Sequence, residues 1–433
     1  MYVTVSVKMD LDATASLSEL EQQIQEAGRA AMQAALKDAI RQREETQQTC
    51  PACGSGQVRT HETKRQVLLT SFGRVEVPLK RVRCQQCGQR FRPADGWLAE
   101  VRGHTITPQL RELASLLGGS WPYATAARLL KQLSGVQLSA ERLRQLTNEQ
   151  GTRVAQEQQT HAQQVLADAV NPLLIRRARV QAERAIPPER PSWLQVGLDG
   201  GWVPSREQQG GMEGKIGVVA SHREPVGKRG RHRLSQRRYV ATFGPAEEVG
   251  LLSYAAACES GAAEARQQVV VGDGADWIKT QAEDHFPDAV KTLDWPHLWR
   301  KIRAAVRALQ PGKHPARRAW RKQQYEGLLP LLWAGEREEA LQYLRHLRSA
   351  SGDAPAAVEE AIRYLETQQD WLGNYARWQE QGYPVGSGLV ERAVALVINV
   401  RMKQRGMRWK CANATAVVAL RVQQINTNWD AVA

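Results

Sequence analysis

Residues 194–203 read LQVGLDGGWV. The first half is apolar but for Gln195, one carboxylate, Asp199, ends the run, and two glycines follow. A short apolar run bounded by glycine reads as a buried strand, and an aspartate at its end projects toward a cleft. The flanking glycines would let a ligand come close to the backbone. Asp-Gly is also ordinary turn chemistry, so this residue alone does not decide between turn and ligand. The run QQVVVGDGADW, residues 267–277, repeats the arrangement, with Asp273 closing VVVG. Between the two lie the strand-like runs EGKIGVVAS (213–221) and RRYVATFG (237–244), then a helical segment, EEVGLLSYAAACESG (247–261). A helix and a fifth strand-like run, AVKTLDWPH (289–297), follow Asp273.

Three strands, a helix and an aspartate-bearing fourth strand match the order of RNase H-like domains, where strands one and four are neighbours. That order predicts a mixed five-stranded sheet with Asp199 beside Asp273. Residues 298–379 read as helical almost throughout. Behind them, GYPVGSGLVERAVALVINVRMKQRG (382–406) opens a late, largely apolar helix with Glu391 in its first turn. A glutamate there complements the helix dipole, worth up to about 1 kcal/mol, and needs no other role. Yet four-residue spacing puts Glu391, Ala395 and Asn399 on one helix face. That lane is small and polar among Val394, Leu396, Val397, Ile398 and Val400, and a helix that only packs has no use for it. Three gathered carboxylates repel one another, and divalent cations remove that cost. Two ions about 3.5–4 Å apart activate a nucleophilic oxygen and stabilise the leaving oxygen of a phosphoryl transfer. Mg²⁺ suits carboxylate and phosphate oxygens.

Upstream, Cys50-Pro-Ala-Cys53-Gly and Cys84-Gln-Gln-Cys87-Gly flank RQVLLTSFGRVEVPLKRVRC, which alternates apolar and polar residues around a turn at Phe72-Gly73. Two CxxC knuckles joined by a hairpin form a zinc-ribbon pattern with four thiolate ligands. Such a closed site is structural, and four reduced cysteines without metal are the alternative. Lys64, Arg65, Arg74, Lys80, Arg81 and Arg83 make these strands basic, which suits a phosphate backbone. Residues 17–47 carry the spacing of one long amphipathic helix. Residues 104–151 are helical again, and PYATAARLLKQLSGVQLSAERLRQLTNEQG reads as helix, turn, helix. Gly135 ends the first helix and Ser139 caps the second. Leu143 and Leu146 then face inward, leaving Arg142, Arg144, Gln145 and Asn148 outward, as on a DNA-recognition helix; a plain α-hairpin fits the pattern equally well. The prolines of IPPERPSW (186–193) mark a domain boundary.

Lysine and arginine exceed aspartate and glutamate by 59 to 45, a net charge of +14, which points to a polyanionic partner. The basic run HREPVGKRGRHRLSQRRY (222–239) reads as a loop between strands two and three; Lys228, Arg229 and Arg231 would clamp DNA there, or the loop is simply solvated. Arg401, Lys403, Arg405, Arg408 and Lys410 follow the Glu391 helix and suit the phosphates of a cleaved strand. There is no Walker-type loop and so no sign of ATP use. The start, MYVTVSVKMDLDA, lacks a signal-peptide pattern. No segment reaches the roughly 18–20 apolar residues that span a bilayer. A cytoplasmic, nucleoid-associated protein without a membrane partner is expected.

Taken in order, VGLDGGWV, VVVGDGADWIK, TLDWPHL and YPVGSGLVERAVALVINVRMKQRGMRW resemble the DDE transposases of bacterial insertion sequences. Among these the ISKra-type family also carries a cysteine-paired region ahead of its catalytic domain. The likeness runs from the N-terminal helix to about residue 420. It implies that Asp199, Asp273 and Glu391 hold two Mg²⁺ (or Mn²⁺) ions, with Asp199 touching both. It also implies an all-α insertion between Asp273 and Glu391, double-stranded DNA (element ends and target) as partner, and a homodimer or larger assembly on DNA. Asp294-Trp-Pro-His297 resembles the Asp/Cys-x-x-His motif of Mutator-like transposases, which implies that His297 positions a water or a strand end; a histidine satisfied within the core fits as well.

The expected division is a helical N-terminal region (1–48), a zinc ribbon (49–100), a helix-turn-helix-like region with linker (101–190), the first part of an RNase H-like core (191–300), an all-helical insertion (301–380) and the second part of the core (381–433). The fold class is thus α+β or α/β and multidomain. A nuclease or resolvase without strand transfer, and an inert zinc-dependent DNA-binding protein, are the rival functions.

Overall fold

The computed structural model describes residues 2–12, 14–46, 48–101, 104–170, 193–226, 231–350 and 355–428. Its contacts divide the chain into two units, Met1–Gln150 and Gly151–Ala433.

In the first unit, helix α1 (Leu17–Thr46) precedes a hairpin of β1 (Val58–Thr70) and β2 (Gly73–Cys84), with a short β3 (Arg90–Phe91) beside β2. Gly73 takes φ +125° at the turn, a conformation few other residues adopt. Alternation along β2 sends Val75, Val77 and Leu79 inward, against Leu68, Ile40 of α1, Ala94 and Val101. Helices α2 (Pro108–Ser120) and α3 (Tyr123–Ser134) and the start of α4 (Ala140–Val170) form a separate core around Leu110, Leu130, Leu143 and Leu146. Gly135 caps α3 at φ 73°, and the Ser139 hydroxyl accepts the Arg142 amide at 3.1 Å to start α4. The inward leucines and both caps are as the sequence implied. The second helix of the pair, α4, runs unbroken for 31 residues. Its later turns are held within the second unit, where Val154 meets Leu420 and Ala162 meets Leu252 and Ala255. Of the proline-rich boundary expected at 186–193, all but Trp193 lies outside the described residues.

The second unit is built on a mixed five-stranded sheet of order β6-β5-β4-β7-β8, from β4 (Leu194–Val203), β5 (Met212–Val226), β6 (Arg231–Thr242), β7 (Gln268–Gly272) and β8 (Val290–Leu293). Strands β4 to β6 form an antiparallel meander, β7 runs parallel to β4, and β8 parallel to β7. The first and fourth strands of the sheet are neighbours, as the sequence implied. Helices α5 (Ala246–Glu259) and α6 (Asp276–His285) connect the strands. Then come α7 (Trp295–Leu309), α8 (Pro315–Ala334), α9 (Arg337–Ser349), α10 (Ala356–Thr367) and α11 (Tyr375–Glu380), the helical stretch expected before Glu391. Leu194, Val196 and Leu198 of β4 face a core shared with α5 to α10. Val218 of β5 faces a second core, made with α12 (Gly388–Val394) and α13 (Cys411–Asn428).

Two local expectations change. Residues 222–239 are mostly strand rather than loop, because His222 pairs with Ser235 and the ladder continues to Val226↔Arg231. Extending the hairpin satisfies backbone groups that a loop would leave to water. Only 227–230, with Lys228 and Arg229, remain between the strands, and they lie outside the described residues. The late helix is also irregular: Ala395–Asn399 form a π-turn, and the helix stops at Met402. A π-turn frees carbonyls from the usual ladder. Buried Arg421 of α13 takes them up, donating through Nε to Val397 O at 2.9 Å and through the guanidinium to Leu396 O. The regular four-residue lane Glu391–Ala395–Asn399 is therefore broken after its first step.

Candidate active site and candidate metal centres

Strand register builds the site. Gly197 pairs with Val271, and Val271 with Thr292. Side chains two apart on a strand share a face, so the next residues on that face are Asp199, where the parallel pairing of β4 with β7 has ended although β4 itself runs on to Val203, and Asp273 and Asp294, just beyond the carboxyl ends of β7 and β8. In open sheets this is where ligands sit. Above the row lies α12. A Cβ on Gly197 would meet Val390 Cβ at 3.0 Å, and one on Gly201 would meet Val394 Cγ1 at 3.0 Å. These two glycines thus serve helix packing, not the close approach of a ligand. They seat α12 on β4 and bring Glu391 over Asp199.

The groups share one electrostatic field. Burial pushes the Asp199 carboxyl up to about 6; the Gly200 amide opposes this, the charges of Asp273 and Glu391 add to it, and His297 opposes it. The Gly200 N–H donates to Asp199 Oδ1 at 2.7 Å, and the Ala275 N–H to Asp273 Oδ1 at 3.0 Å. The helical insertion secures the Asp273 turn: Tyr364 Oη donates to Asp273 O at 2.6 Å and Gln368 Nε2 to Gly274 O at 3.0 Å. Glu391 itself is exposed to solvent.

Asp294, which the sequence reading left without a role, ties the site together. It is fully buried. Oδ2 caps α7 by accepting the His297 amide at 2.9 Å and also accepts from the His297 ring through Nδ1. Oδ1 accepts the Ser387 amide at 2.6 Å, from the Gly-Ser-Gly turn that starts α12. The Trp295 N–H donates to Val385 O at 3.1 Å alongside. One carboxylate thus holds the last strand, α7 and α12 in register. Burial would raise its carboxyl, but the His297 ring and the Ser387 and His297 amides bring it below the usual range. The same bond holds His297 above its ordinary value, against burial and the nearby Arg300 charge. The signal in the sequence is an apolar strand ending in Asp with Pro two residues on, a helix start. Asp294→Asn leaves one acceptor where two are used and sets an amide against donors. It should cost about 2–4 kcal/mol, a melting point about 5–10 °C lower; an unchanged melt would show that the clasp contributes nothing.

Ligand atoms of Asp294, His297 and Glu391 lie within 4.8 Å of one another. Asp199, Asp273 and Glu391 as a set do not meet that spacing, although the charges of Asp273 and Glu391 act on Asp199. The donor chemistry of the row, hard carboxylate oxygens beside a solvent-facing glutamate, fits divalent cations. In the first unit the Sγ atoms of Cys50, Cys53, Cys84 and Cys87 likewise lie within 4.8 Å, with Cys50···Cys87 and Cys53···Cys84 both at 3.6 Å. Tetrahedral zinc with Zn–S of about 2.3 Å implies S···S edges of about 3.8 Å, so the four cysteines fit. The Cys84 thiol is lowered to about 6, first by the Cys87 backbone N–H.

Of the residues assigned to DNA, Arg142 and Arg144 are half-buried and Gln145 is exposed. Arg144 is tied to Glu141 through Nε at 2.8 Å, and Arg142 to Gln145 at 3.2 Å. Arg231 opens β6. Lys403 is exposed with Arg405, Arg408 and Lys410. Arg401 is not available to a phosphate: it is fully buried, its guanidinium 5.0 Å from the Trp409 ring centroid. The chain turns back after Met402, and Trp409 Nε1 donates to Met402 O at 3.1 Å, closing over it.

Among the described residues no helix is long and apolar enough to cross a membrane. Compared with known proteins, residues 10–432 match the profile of the Uncharacterised protein family (UPF0236). No curated protein matches. Among solved structures the chain is similar to one titled Drosophila P element transposase strand transfer complex, at 10% identity and a TM-score of 0.31, over 78% of this chain and 96% of that one.

Proposed function

Since the chain belongs to the UPF0236 family over nearly its whole length, a family whose description assigns no activity, we propose from its own residues that it is a DNA transposase of the DDE type. What supports this reading is the adjacency of the Asp199 and Asp273 strands in a sheet with the order of RNase H-like domains, beneath the helix that carries Glu391. Asp199, Asp273 and Glu391 are the residues to hold two Mg²⁺ or Mn²⁺ ions. Bound there, the ions would supply charge neutralisation for an attacking and a leaving oxygen.

The chain's own contribution is placement. Gly197 and Gly201 seat the Glu391 helix, Asp294 fixes His297 and the Ser387 turn, and Tyr364 and Gln368 steady the Asp273 loop. His297, with Nδ1 engaged by Asp294, keeps Nε2 for a water or a strand end. Residues 191–300 and 381–433 form the catalytic core around the helical insertion 301–380. The zinc ribbon and helices of 49–190 bind the double-stranded ends of the element, and a dimer or larger assembly brings two ends together. Exposed Lys403 and its basic neighbours hold the cleaved strand.

Incubating the purified protein with DNA carrying the element's ends and Mg²⁺ tests this. Joined products are expected. Nicks without joining would make it a nuclease or resolvase, and binding without either would make it an inert DNA-binding protein.

A further inference from the structure

Between Trp295 and Tyr325 the chain has nine lysines and arginines and not one aspartate or glutamate. In α7 the buried face is Leu298, Ile302, Ala305 and Val306. Opposite it, Arg300, Arg303 and Arg307 are exposed in a single stripe at helical spacing. The stripe lines an open groove of about 670 Å³, walled by Trp295, Pro296 and Trp299, with Glu391 at its edge.

Of the neighbouring basic residues, Lys301, Arg317, Arg321 and Lys322 are engaged elsewhere. Lys301 turns away to Glu360 at 2.6 Å and over the Tyr364 ring. Arg317 and Arg321 bond the carbonyls of Pro311, Gln310 and Gly312. Elsewhere in the insertion Arg337, Arg345 and Arg348 each pair with a glutamate. Among the described residues Arg300, Arg303 and Arg307 have no carboxylate partner within ion-pair distance. Three unneutralised guanidiniums on one groove wall, leading away from the carboxylates, form an anion track. Arg300 to Arg307 covers about 10 Å of helix at 1.5 Å per residue. That matches about three phosphates of one strand at roughly 3.4 Å each.

We infer that this groove holds the phosphodiester backbone of the DNA strand adjoining the cleavage point, through Arg300, Arg303 and Arg307, without reading its bases. The inference rests on the transposase reading for the identity of the polyanion. It names a contact surface that neither the sequence motifs nor the carboxylate site assigns. Phosphate contacts position DNA and carry no sequence information, so the signature is electrostatic.

The test measures binding of the full-length, zinc-loaded protein to a labelled duplex of arbitrary sequence in Mg²⁺-free buffer without chelator, across a salt series. Arg300→Gln/Arg303→Gln/Arg307→Gln should make the slope of log K against log salt shallower by about 2–3, roughly one per arginine, and Arg303→Gln alone by about one. The control Arg337→Gln/Arg345→Gln/Arg348→Gln removes equal charge from the paired arginines and should change the slope by less than one. Equal losses in the two triples, or an unchanged slope in the first, would overturn the inference. The single variant decides the matter if the triple fails to fold. Wild-type protein that shows the slope but never cleaves with Mg²⁺ would defeat the transposase reading and leave the groove standing. Normal cleavage by a first triple with an unchanged slope would do the reverse.

Discussion

Asp199→Asn is expected to lower metal-dependent strand cleavage by on the order of a thousandfold or more, while DNA binding stays within about twofold. Asp273→Asn and Glu391→Gln should behave alike. Removing one carboxylate from a site that must neutralise phosphoryl-transfer charge forfeits several kcal/mol of transition-state stabilisation, and each 1.36 kcal/mol or so is tenfold in rate. On the proposed function binding is spared, because phosphate contacts would come from arginines and lysines elsewhere. Retained cleavage in any one of the three variants would remove that residue from the mechanism.

A second readout separates function from folding. The Asp199 carboxyl is raised to about 6 by burial, with Asp273 and Glu391 adding to it. The folded state therefore binds a proton more tightly than the unfolded chain, and the ionised form is a cost above pH 6 that is relieved as pH falls toward the ordinary value near 4. In Mg²⁺-free buffer at pH 7, Asp199→Asn should be more stable than the wild type by an amount on the order of 2 kcal/mol, and the gap should close as pH falls from 6 toward 4. A variant that loses cleavage by unfolding would melt lower instead. Gaining stability while losing activity is the usual mark of a site kept strained for its task.

What could be read in advance followed from local chemistry. The runs leading to Asp199 and Asp273 are short, largely apolar and flanked by glycine, so their order was visible before any contact was known, although β4 runs past Asp199 to Val203, where pairing with β5 carries it on. The hairpin between the cysteine knuckles, the Gly135 cap and the Ser139 cap are local too. The misses all depend on partners distant in sequence. Arg401 sits among exposed basic residues, and nothing nearby announces that Trp409 folds back over it. The π-turn at Ala395–Asn399 needs Arg421 to take up its freed carbonyls, from a helix that had no assigned role. The strand character of 222–239 comes from mutual pairing of two polar stretches that lack strand periodicity. Asp294 read as part of a motif around His297, because its bond to the Ser387 amide joins segments that are close only in the fold. The α7 stripe was hidden for a related reason: its meaning lies in which arginines find a glutamate and which do not.

Removing zinc is the other change with a large expected effect, and its consequence is local. The hairpin is not uniformly supported. At its turn end Leu68, Val75, Val77 and Leu79 pack on Ile40, whereas β1 from Arg59 to Arg65 is exposed throughout. At the knuckle end burial is confined to Cys50, Val82 and Cys84, and one short strand, β3, pairs with β2 at two positions. So small a core cannot hold two knuckles closed; zinc binding to comparable folds supplies roughly 10 kcal/mol or more. The protein as isolated should carry one zinc per chain. Chelation, or Cys84→Ser, should abolish amide-exchange protection in Val58–Thr63 and Lys80–Cys84 while Leu68–Thr70 and Val75–Val77 keep most of theirs. DNA-end binding should weaken in parallel, because the basic strand residues Lys80, Arg81 and Arg83 lose their fixed positions. A zinc-free protein whose knuckle strands exchange as slowly as before would show that the four cysteines are reduced thiols packed without a metal.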